Sequence, residues 1–149
     1  MLRMKFILDD GGRKAAGFKG LADDCVCRAV SIATKLPYKE IYDLINEISK
    51  SERTGKNKSS KSSARLGVYK YTQKRLLKEL GWIWTPTMKI GKGCQVHLCG
   101  DELPKGRLVV SVSKHICAVI NGVLHDTHDC SRGGKRCVYG FWTKGKARW

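Results

Sequence analysis

The stretch Leu21-Ala-Asp-Asp-Cys-Val-Cys-Arg-Ala-Val-Ser-Ile-Ala-Thr34 is the part of the chain around which the rest is organised. It predicts a helix that begins at Cys25, because Asp23 and Asp24 are good N-cap residues and apolar residues follow them. A cysteine on the first turn of a helix has its sulfur near unpaired backbone N–H groups and the positive end of the helix dipole. Both favour the thiolate, so this position is typical of a cysteine nucleophile.

Two cysteines in this stretch compete for that role, Cys25 and Cys27. Two positions along a helix correspond to about 200° of rotation, so the two thiols face different neighbours. Cys25 lies nearer the unpaired N–H groups of the first turn. We therefore predict that Cys25 is the nucleophile and that Cys27 is structural.

Length and composition indicate one globular domain over residues 1–149, since 42% of the 149 residues are hydrophobic. No run approaches the ~18 apolar residues of a membrane-spanning helix. The first apolar run is shorter than the ~7–15 residues of a secretory signal. We expect a cytoplasmic protein with no membrane association, most simply a monomer. Free thiols are then the default for its 7 cysteines.

The cysteines and histidines of the second half also invite a zinc interpretation. No C-x-x-C pair occurs, however, and Cys25-Val-Cys27 is too tight for an ordinary zinc knuckle. The prediction is therefore that no metal or cofactor is needed, with structural zinc as the weaker alternative. The residues concerned are Cys94, His97, Cys99, His125, His128, Cys130 and Cys137.

The formal net charge of +16 predicts attraction to polyanions that weakens with salt. Much of the basic character lies in residues 50–65, which have almost no apolar content and are predicted to form a flexible loop. This segment is either a solvated loop or a flap beside a cleft that binds an acidic partner. No RNP-type motif is present, so any nucleic-acid binding is expected to be nonspecific.

Periodicity and turn signals divide the chain into helices followed by strands, an α+β layout. N-terminal helices, the first carrying Cys25, are expected to pack on a C-terminal antiparallel sheet. Helices are predicted at about 25–36, 37–48 and 70–80, with strands at 4–8, 13–18, 82–88, 108–112, 116–120, 123–127 and 137–142.

The dipeptide Asn121-Gly122 is a strong hairpin signal and sets the register of two strands. With this turn, His115 and Asp126 share one face of the hairpin as diagonal neighbours. That geometry suits a carboxylate that holds an imidazole by one ring nitrogen and leaves the other for a thiol. His125 falls on the opposite face, and His128, nearer the following loop, is a second choice for the histidine.

A cysteine at the start of the first long helix, a histidine on a late strand and a carboxylate on the next strand resemble the papain-like cysteine peptidase fold. More narrowly, Asp24-Cys25-x-x-Arg28-Ala29, Ala33-Thr34-x-x-Pro37-Tyr38 and the His-Asp-Thr and Cys-Val-Tyr-Gly-Phe-Trp segments resemble small, mostly uncharacterised peptidase-like proteins of phages and bacteria. The similarity covers about 23–42 and 109–142.

The resemblance implies that Cys25 is the nucleophile, His115 the general base and acid, and Asp126 its orienting partner. Papain-like enzymes place an oxyanion-hole glutamine six positions before the cysteine, where this chain has Lys19. The expected second oxyanion donor, beside the backbone N–H of Cys25, is then Lys19, Gln95 or a nearby main-chain group.

The predicted function is cleavage of a peptide, isopeptide or other amide bond through a thioester on Cys25. The same triad also serves acyl transfer and glutamine deamidation. The substrate is expected to be a protein or peptide, and the basic surface suggests an acidic one. The alternative is a catalytically inactive papain-like module that binds nucleic acid or an acidic protein through residues 50–65 and the basic tail at 144–148.

Overall fold

The computed structural model describes residues 2–58 and 60–147 as an α+β fold with three helices and a mostly antiparallel sheet. The first half contains β1 (Lys5–Leu8), α1 (Cys25–Thr34), α2 (Tyr38–Ser49) and α3 (Lys70–Glu79). The second half contains β2 (Trp82–Pro86), β3 (Met88–Lys89), β4 (Gly93–Cys94), β5 (Arg107–Val112), β6 (His115–Ile120), β7 (Val123–Asp126) and β8 (Val138–Lys144). Within the described ranges, no helix is long and apolar enough to cross a membrane.

Six strands form the main sheet in the order β1-β7-β6-β5-β8-β2, and β3 and β4 form a separate two-stranded ribbon. All pairs in the main sheet are antiparallel except β1 with β7, which run parallel. The sequence predicts a C-terminal antiparallel sheet. The observed sheet also includes the N-terminal strand β1, which lies at its edge and runs parallel to β7. Strand β1 pairs Leu8 with Asp126, and the Asp9 N–H donates to the Asp126 carbonyl oxygen at 2.8 Å.

The prediction of a strand at 13–18 is wrong, because residues 13–17 form turns. The Asp10 carboxylate accepts hydrogen bonds from the backbone N–H groups of Gly12 and Lys14, both at 2.9 Å. An aspartate that satisfies nearby backbone donors in this way stabilises a turn in competition with a strand. Gly11 and Gly12 also have φ values of 74° and 91°, which suit glycine and bend the chain.

The predicted hairpin register is confirmed. Asn121 and Gly122 have φ values of 49° and 79°, as expected for the turn type that Asn-Gly favours. The pairs Val119 with Leu124 and Ala118 with His125 follow from this turn.

The sheet has an apolar core on each face. The helices cover one face, where Val109, Ile116, Ala118 and Trp142 belong to the same buried cluster as α1 and α2. On the other face, Leu108, Val110, Leu124 and Phe141 are buried with Met4, Leu98 and Cys130. The second core is covered by irregular chain, so the loop residues around 98 and 130 have a structural role.

Helix α1 is buried along nearly its whole length, which matches a sequence of mostly small or apolar residues interrupted by Arg28. Cys27 is fully buried and its thiol lies 3.6 Å from the Tyr38 carbonyl oxygen. Burial raises the pKa of this thiol to about 12, consistent with a structural residue. The helix ends at Lys35, whose φ of 64° is left-handed, and α2 begins directly after Pro37.

The basic segment 50–65 is attached to the helices through Glu52. This carboxylate accepts hydrogen bonds from Lys58 Nζ at 2.9 Å, from the Ser62 N–H at 2.6 Å and from the Thr72 hydroxyl. Ala64, near the end of the segment, is fully buried. The flexibility of the segment stays a prediction, but its described part makes specific contacts that its composition did not indicate.

Cys94 and Cys137 form a disulfide with Cα atoms 5.8 Å apart. The expectation of free thiols is therefore wrong for this pair, while the remaining five cysteines carry free thiols. A backbone bridge between His97 and Cys137 holds the two segments together. Their proximity depends on this long-range pairing, which the sequence spacing does not reveal.

Candidate active site

The three residues predicted to form a catalytic triad meet at one end of the main sheet. The His115 Nε2–H donates to Asp126 Oδ2 at 2.7 Å, and Cys25 is near enough to the same imidazole to raise its pKa. Cys25 and His115 line a cavity of about 770 Å³. The carboxylate holds Nε2, so Nδ1 is the ring nitrogen left for a thiol.

The position of these residues at element ends is what allows them to meet. His115 is the first residue of β6, Asp126 is the last of β7 and Cys25 is the first of α1. Side-chain alternation groups His115 and Asp126 with Cys117 and Leu124, on the sheet face away from the helices. Helix α1 packs on the other face of the sheet. Side chains on the face of His115 and Asp126 can approach the start of this helix only at the end of the sheet, where no strand lies between them.

Asp126 is held by several donors besides His115. Arg28 Nη2 lies 3.2 Å from Asp126 Oδ1, and the Thr127 N–H donates to the same oxygen at 2.7 Å. The carboxylate is 3% exposed, so these donors replace the water that a charged group would otherwise bind. The orientation of His115 is therefore fixed by a carboxylate that is itself tied to helix α1.

Arg28 is the residue in this network to which the sequence analysis gave no role. Its guanidinium also binds the buried carboxylate of Asp24, which accepts a further hydrogen bond from the Tyr38 hydroxyl at 2.6 Å. The signal was present in the sequence, because a positive charge among the apolar residues of a buried helix needs acidic partners. The partner Asp126, 98 positions away, could not be inferred from that signal.

Asp24 occupies the N-cap position of α1 as predicted, but its carboxylate makes no capping hydrogen bond. It is used for Arg28 and Tyr38 instead. The first-turn N–H groups, including that of Cys25, are therefore not covered by this side chain and point toward the start of the helix. Backbone donors in this position suit an anion at the cavity.

The protonation states of His115 and Asp126 are coupled. Burial by itself lowers the pKa of His115, but hydrogen bonds with Asp126, Cys130 and Cys25 outweigh it and raise the pKa to about 11. Burial likewise raises the pKa of Asp126, but the hydrogen bonds from His115 and Thr127 lower it to about 2. At neutral pH the pair is an imidazolium and a carboxylate, and an imidazolium stabilises a neighbouring thiolate.

Cys130 is a second thiol at His115 that the sequence analysis did not assign to this site. It is 4% exposed, and hydrogen bonds from Cys117 and His115 lower its pKa despite burial. Arg136 holds this loop by donating from Nη1 to the Cys130 carbonyl oxygen at 3.3 Å. Cys130 does not line the cavity, whereas Cys25 does, so Cys25 is the thiol that a ligand in the cavity would meet.

The two predicted oxyanion donors are not brought to the cavity. Lys19 is exposed and contacts arginines through its carbonyl oxygen, and Gln95 donates to the Lys92 carbonyl oxygen near the β3–β4 ribbon. Gln73, the other glutamine of the chain, does line the cavity from helix α3. Its position on a different helix is a tertiary feature that spacing from Cys25 could not indicate.

The two other histidines near the hairpin, His125 and His128, lie as its register predicted. His125 is on the other face, where its Nδ1 is 3.4 Å from Asp9 Oδ2. His128 lines the cavity, and its ring centroid is 5.4 Å from that of His115.

Two groups of described residues have the composition of metal ligands. His115, Asp126 and Cys130 present atoms within 4.8 Å of one another, as do Cys99, Asp101 and Glu102. At the first group Arg28 is bonded to the other oxygen of Asp126, and its positive charge opposes a cation there.

No protein-family model, curated protein or solved structure matches this chain. The candidate site therefore rests on the geometry of its own residues.

Proposed function

We propose that this protein is a papain-like cysteine hydrolase that cleaves an amide bond of a protein or peptide with Cys25, His115 and Asp126. The observation that carries the proposal is the 2.7 Å hydrogen bond from His115 Nε2 to Asp126, on an imidazole that lines one cavity together with Cys25. A nucleophile, a base and a group that orients the base are the minimum set for thiol acyl chemistry.

In this proposal the Cys25 thiolate attacks the carbonyl carbon of the amide and forms a C–S bond. His115 gives its proton to the nitrogen as the C–N bond breaks, which releases an amine and leaves a thioester on Cys25. Water then enters, His115 takes a proton from it and the oxygen attacks the thioester. The C–S bond breaks, the carboxylic acid leaves and the Cys25–His115 pair returns to its starting state.

The cavity supports a polar substrate with both charged and amide groups. The residues that line it include Lys70, Lys114 and Asp23, together with Tyr69 and Gln73. The backbone N–H of Cys25 and the amide of Gln73 are the proposed donors to the oxygen that becomes negative in the transition state.

The first test measures the alkylation rate of each thiol by iodoacetamide near neutral pH, with mass-spectrometric peptide mapping. Cys25 should react faster than Cys27 and Cys130, and His115→Gln should slow Cys25 by about 10²-fold. His128→Ala is the matched control, because His128 lines the same cavity without the bond to Asp126. Equal rates for Cys25 in all three proteins would contradict the proposal.

The second test follows hydrolysis of a defined pool of acidic peptides by mass spectrometry. The wild type should release fragments with newly formed carboxyl ends, and Cys25→Ala should release none. Hydrolysis that persists in Cys25→Ala would assign the activity to another group.

A second candidate function is favoured by the net charge of +16, which suits binding to nucleic acid or an acidic protein. Titration of single-stranded and duplex oligonucleotides at increasing salt tests it. Affinity that survives at about 0.15 M ionic strength and differs between sequences would support this function. Weak binding that vanishes with salt, without discrimination, would contradict it.

A further inference from the structure

A second cluster of reactive side chains lies away from the cavity, where the β3–β4 ribbon meets the start of β8. Cys94 and Cys137 are joined here, and Cys94 Sγ lies 3.6 Å from His97 Nε2. On the other side of the same ring, His97 Nδ1 lies 3.1 Å from Glu102 Oε1. Neither sulfur nor the imidazole lines the cavity that contains Cys25.

We propose that reduction of the Cys94–Cys137 disulfide converts this cluster into a zinc site, with Cys94, Cys137 and His97 Nε2 as protein ligands and water as the fourth. The ligand types are those zinc prefers, two thiolates and an imidazole. The site does not depend on the proposed hydrolase function.

One distance between prospective ligands in the oxidised form, from Cys94 to His97, is already close to that of a zinc site. A thiolate and an imidazole nitrogen bound to one tetrahedral zinc, at about 2.3 Å and 2.0 Å, lie about 3.5 Å apart. The observed separation between Cys94 Sγ and His97 Nε2 is 3.6 Å. Two thiolates on one zinc lie about 3.8 Å apart, which cysteines with Cα atoms 5.8 Å apart can reach by side-chain rotation.

Glu102 supplies the outer support that zinc-bound histidines commonly have. A carboxylate on Nδ1 fixes the ring, selects the tautomer with Nε2 free and increases the basicity of that nitrogen. The backbone N–H of His97 also donates to Glu102 Oε1 at 3.3 Å. The backbone bridge between His97 and Cys137 holds two of the three ligands in place whether or not the disulfide is present.

The sulfur atoms are open to a reductant. Cys94 is exposed and Cys137 is partly exposed, unlike the buried thiols of the core. A dithiol reductant transfers two electrons and two protons to the S–S bond, which gives two thiols while the reductant becomes a disulfide. Zinc then displaces the two thiol protons as two Zn–S bonds form.

The test is a titration of the full-length protein with Zn²⁺ in competition with a chromophoric chelator, before and after reduction. The reduced protein should bind one zinc per chain, and the oxidised protein should bind at least tenfold more weakly. Co²⁺ should give the thiolate-to-metal charge-transfer absorption only with the reduced protein. Equal affinity in the two forms, or no binding to the reduced form, would overturn the proposal.

Variants separate this site from the metal-like group at His115. Cys94→Ser and His97→Ala should each remove most zinc binding, and Glu102→Gln should weaken it about 10–100-fold. His115→Gln is the matched control and should leave it unchanged. Zinc binding that is lost in His115→Gln and retained in His97→Ala would place the metal elsewhere. Because alkylation of Cys25 is measured separately, failure here leaves the hydrolase test intact.

Discussion

Arg28 lies between two buried carboxylates and links helix α1 to the end of strand β7. Asp24 and Asp126 are each 3% exposed, and each accepts a hydrogen bond from this guanidinium. Two buried carboxylates without a cation between them would repel each other and lose the donors that replaced water. The orientation of His115 thus depends on Arg28, which acts on the imidazole through Asp126.

Replacing Arg28 should destabilise the fold and the candidate site together. Arg28→Ala leaves Asp24 and Asp126 uncompensated, and we expect a loss of about 3–5 kcal/mol in the free energy of unfolding. Arg28→Lys keeps the charge without the fork that binds both carboxylates, so its loss should be smaller. Urea unfolding measures both. The exposed Arg53→Ala is the control, with a change within about 0.5 kcal/mol; a similar small change for Arg28→Ala would contradict this account.

The two glutamines of the chain provide a matched pair for the oxyanion donor. Gln73→Ala should lower the rate of amide hydrolysis by about 10²–10³-fold, because one donor to the transition-state oxygen is lost. Gln95→Ala should have no effect, since Gln95 does not line the cavity. Alkylation of Cys25 by iodoacetamide, which develops no oxyanion, should be unchanged in both variants.

Comparing amide hydrolysis with alkylation of Cys25 distinguishes a role of Gln73 as oxyanion donor from a structural role. A fall in both hydrolysis and alkylation for Gln73→Ala would indicate a structural role, because Gln73 also donates to the Val68 carbonyl oxygen at 2.8 Å. Equal hydrolysis by the two variants would remove Gln73 from the site.

At the scale of elements, the edge strand β2 depends on a glycine in its neighbour β8. A Cβ on Gly140 would lie 2.3 Å from Trp84 Cζ2 and 2.8 Å from the Thr85 carbonyl oxygen. The Trp84 ring covers this glycine and lies against Trp142, with ring centroids 5.3 Å apart. The absence of a side chain at 140 is therefore what lets this indole approach the backbone of β8.

Gly140→Ala should displace Trp84 and weaken the pairing of β2 with β8. We expect a loss of about 1–3 kcal/mol in the free energy of unfolding, as for other overpacked positions, together with a changed tryptophan emission spectrum. Gly55→Ala is the control, because a Cβ there meets nothing within 4 Å. An unaltered free energy of unfolding and emission spectrum for Gly140→Ala would contradict this prediction, because β2 would then accommodate the added methyl group without loss of stability.

At the scale of the whole molecule, His115 links the pH dependence of stability to the candidate site. Its pKa of about 11 in the folded chain exceeds the ordinary value of 6.5, so the folded state binds this proton more tightly. The resulting stabilisation is fully present below about pH 6.5 and is lost as the pH rises toward 11. Asp126 acts in the opposite sense, and its contribution is lost as the pH falls from 3.8 toward 2.

The variant His115→Gln should lack the part of the pH dependence of stability that comes from His115 and lies on the alkaline side. The glutamine amide can still donate to Asp126 but cannot take a proton, so the variant lacks the stabilisation that the wild type has near pH 6.5. The difference in the free energy of unfolding between the two proteins should narrow as the pH rises from 7 to 10, measured by urea unfolding. A difference that stays constant or widens would contradict the assigned protonation state.

Local sequence patterns were sufficient for much of the fold. Helix α1 follows from its apolar run between Asp24 and Pro37, and the Asn121-Gly122 turn fixes the register that places His115 beside Asp126. These features depend on neighbours within a few residues, so short-range rules apply to them. The same rules failed at 13–18, where the carboxylate of Asp10 favours turns over a strand.

The sequence by itself therefore determined the α+β class and the pairing of His115 with Asp126, and it distinguished the buried Cys27 from the partly exposed Cys25. Only the tertiary structure decided that Arg28 joins Asp24 to Asp126, that Gln73 rather than Gln95 lines the cavity, and that Cys130 lies near His115. Each of these contacts joins segments distant in the chain. Their proximity is set by how the layers pack on the sheet, which no local pattern encodes.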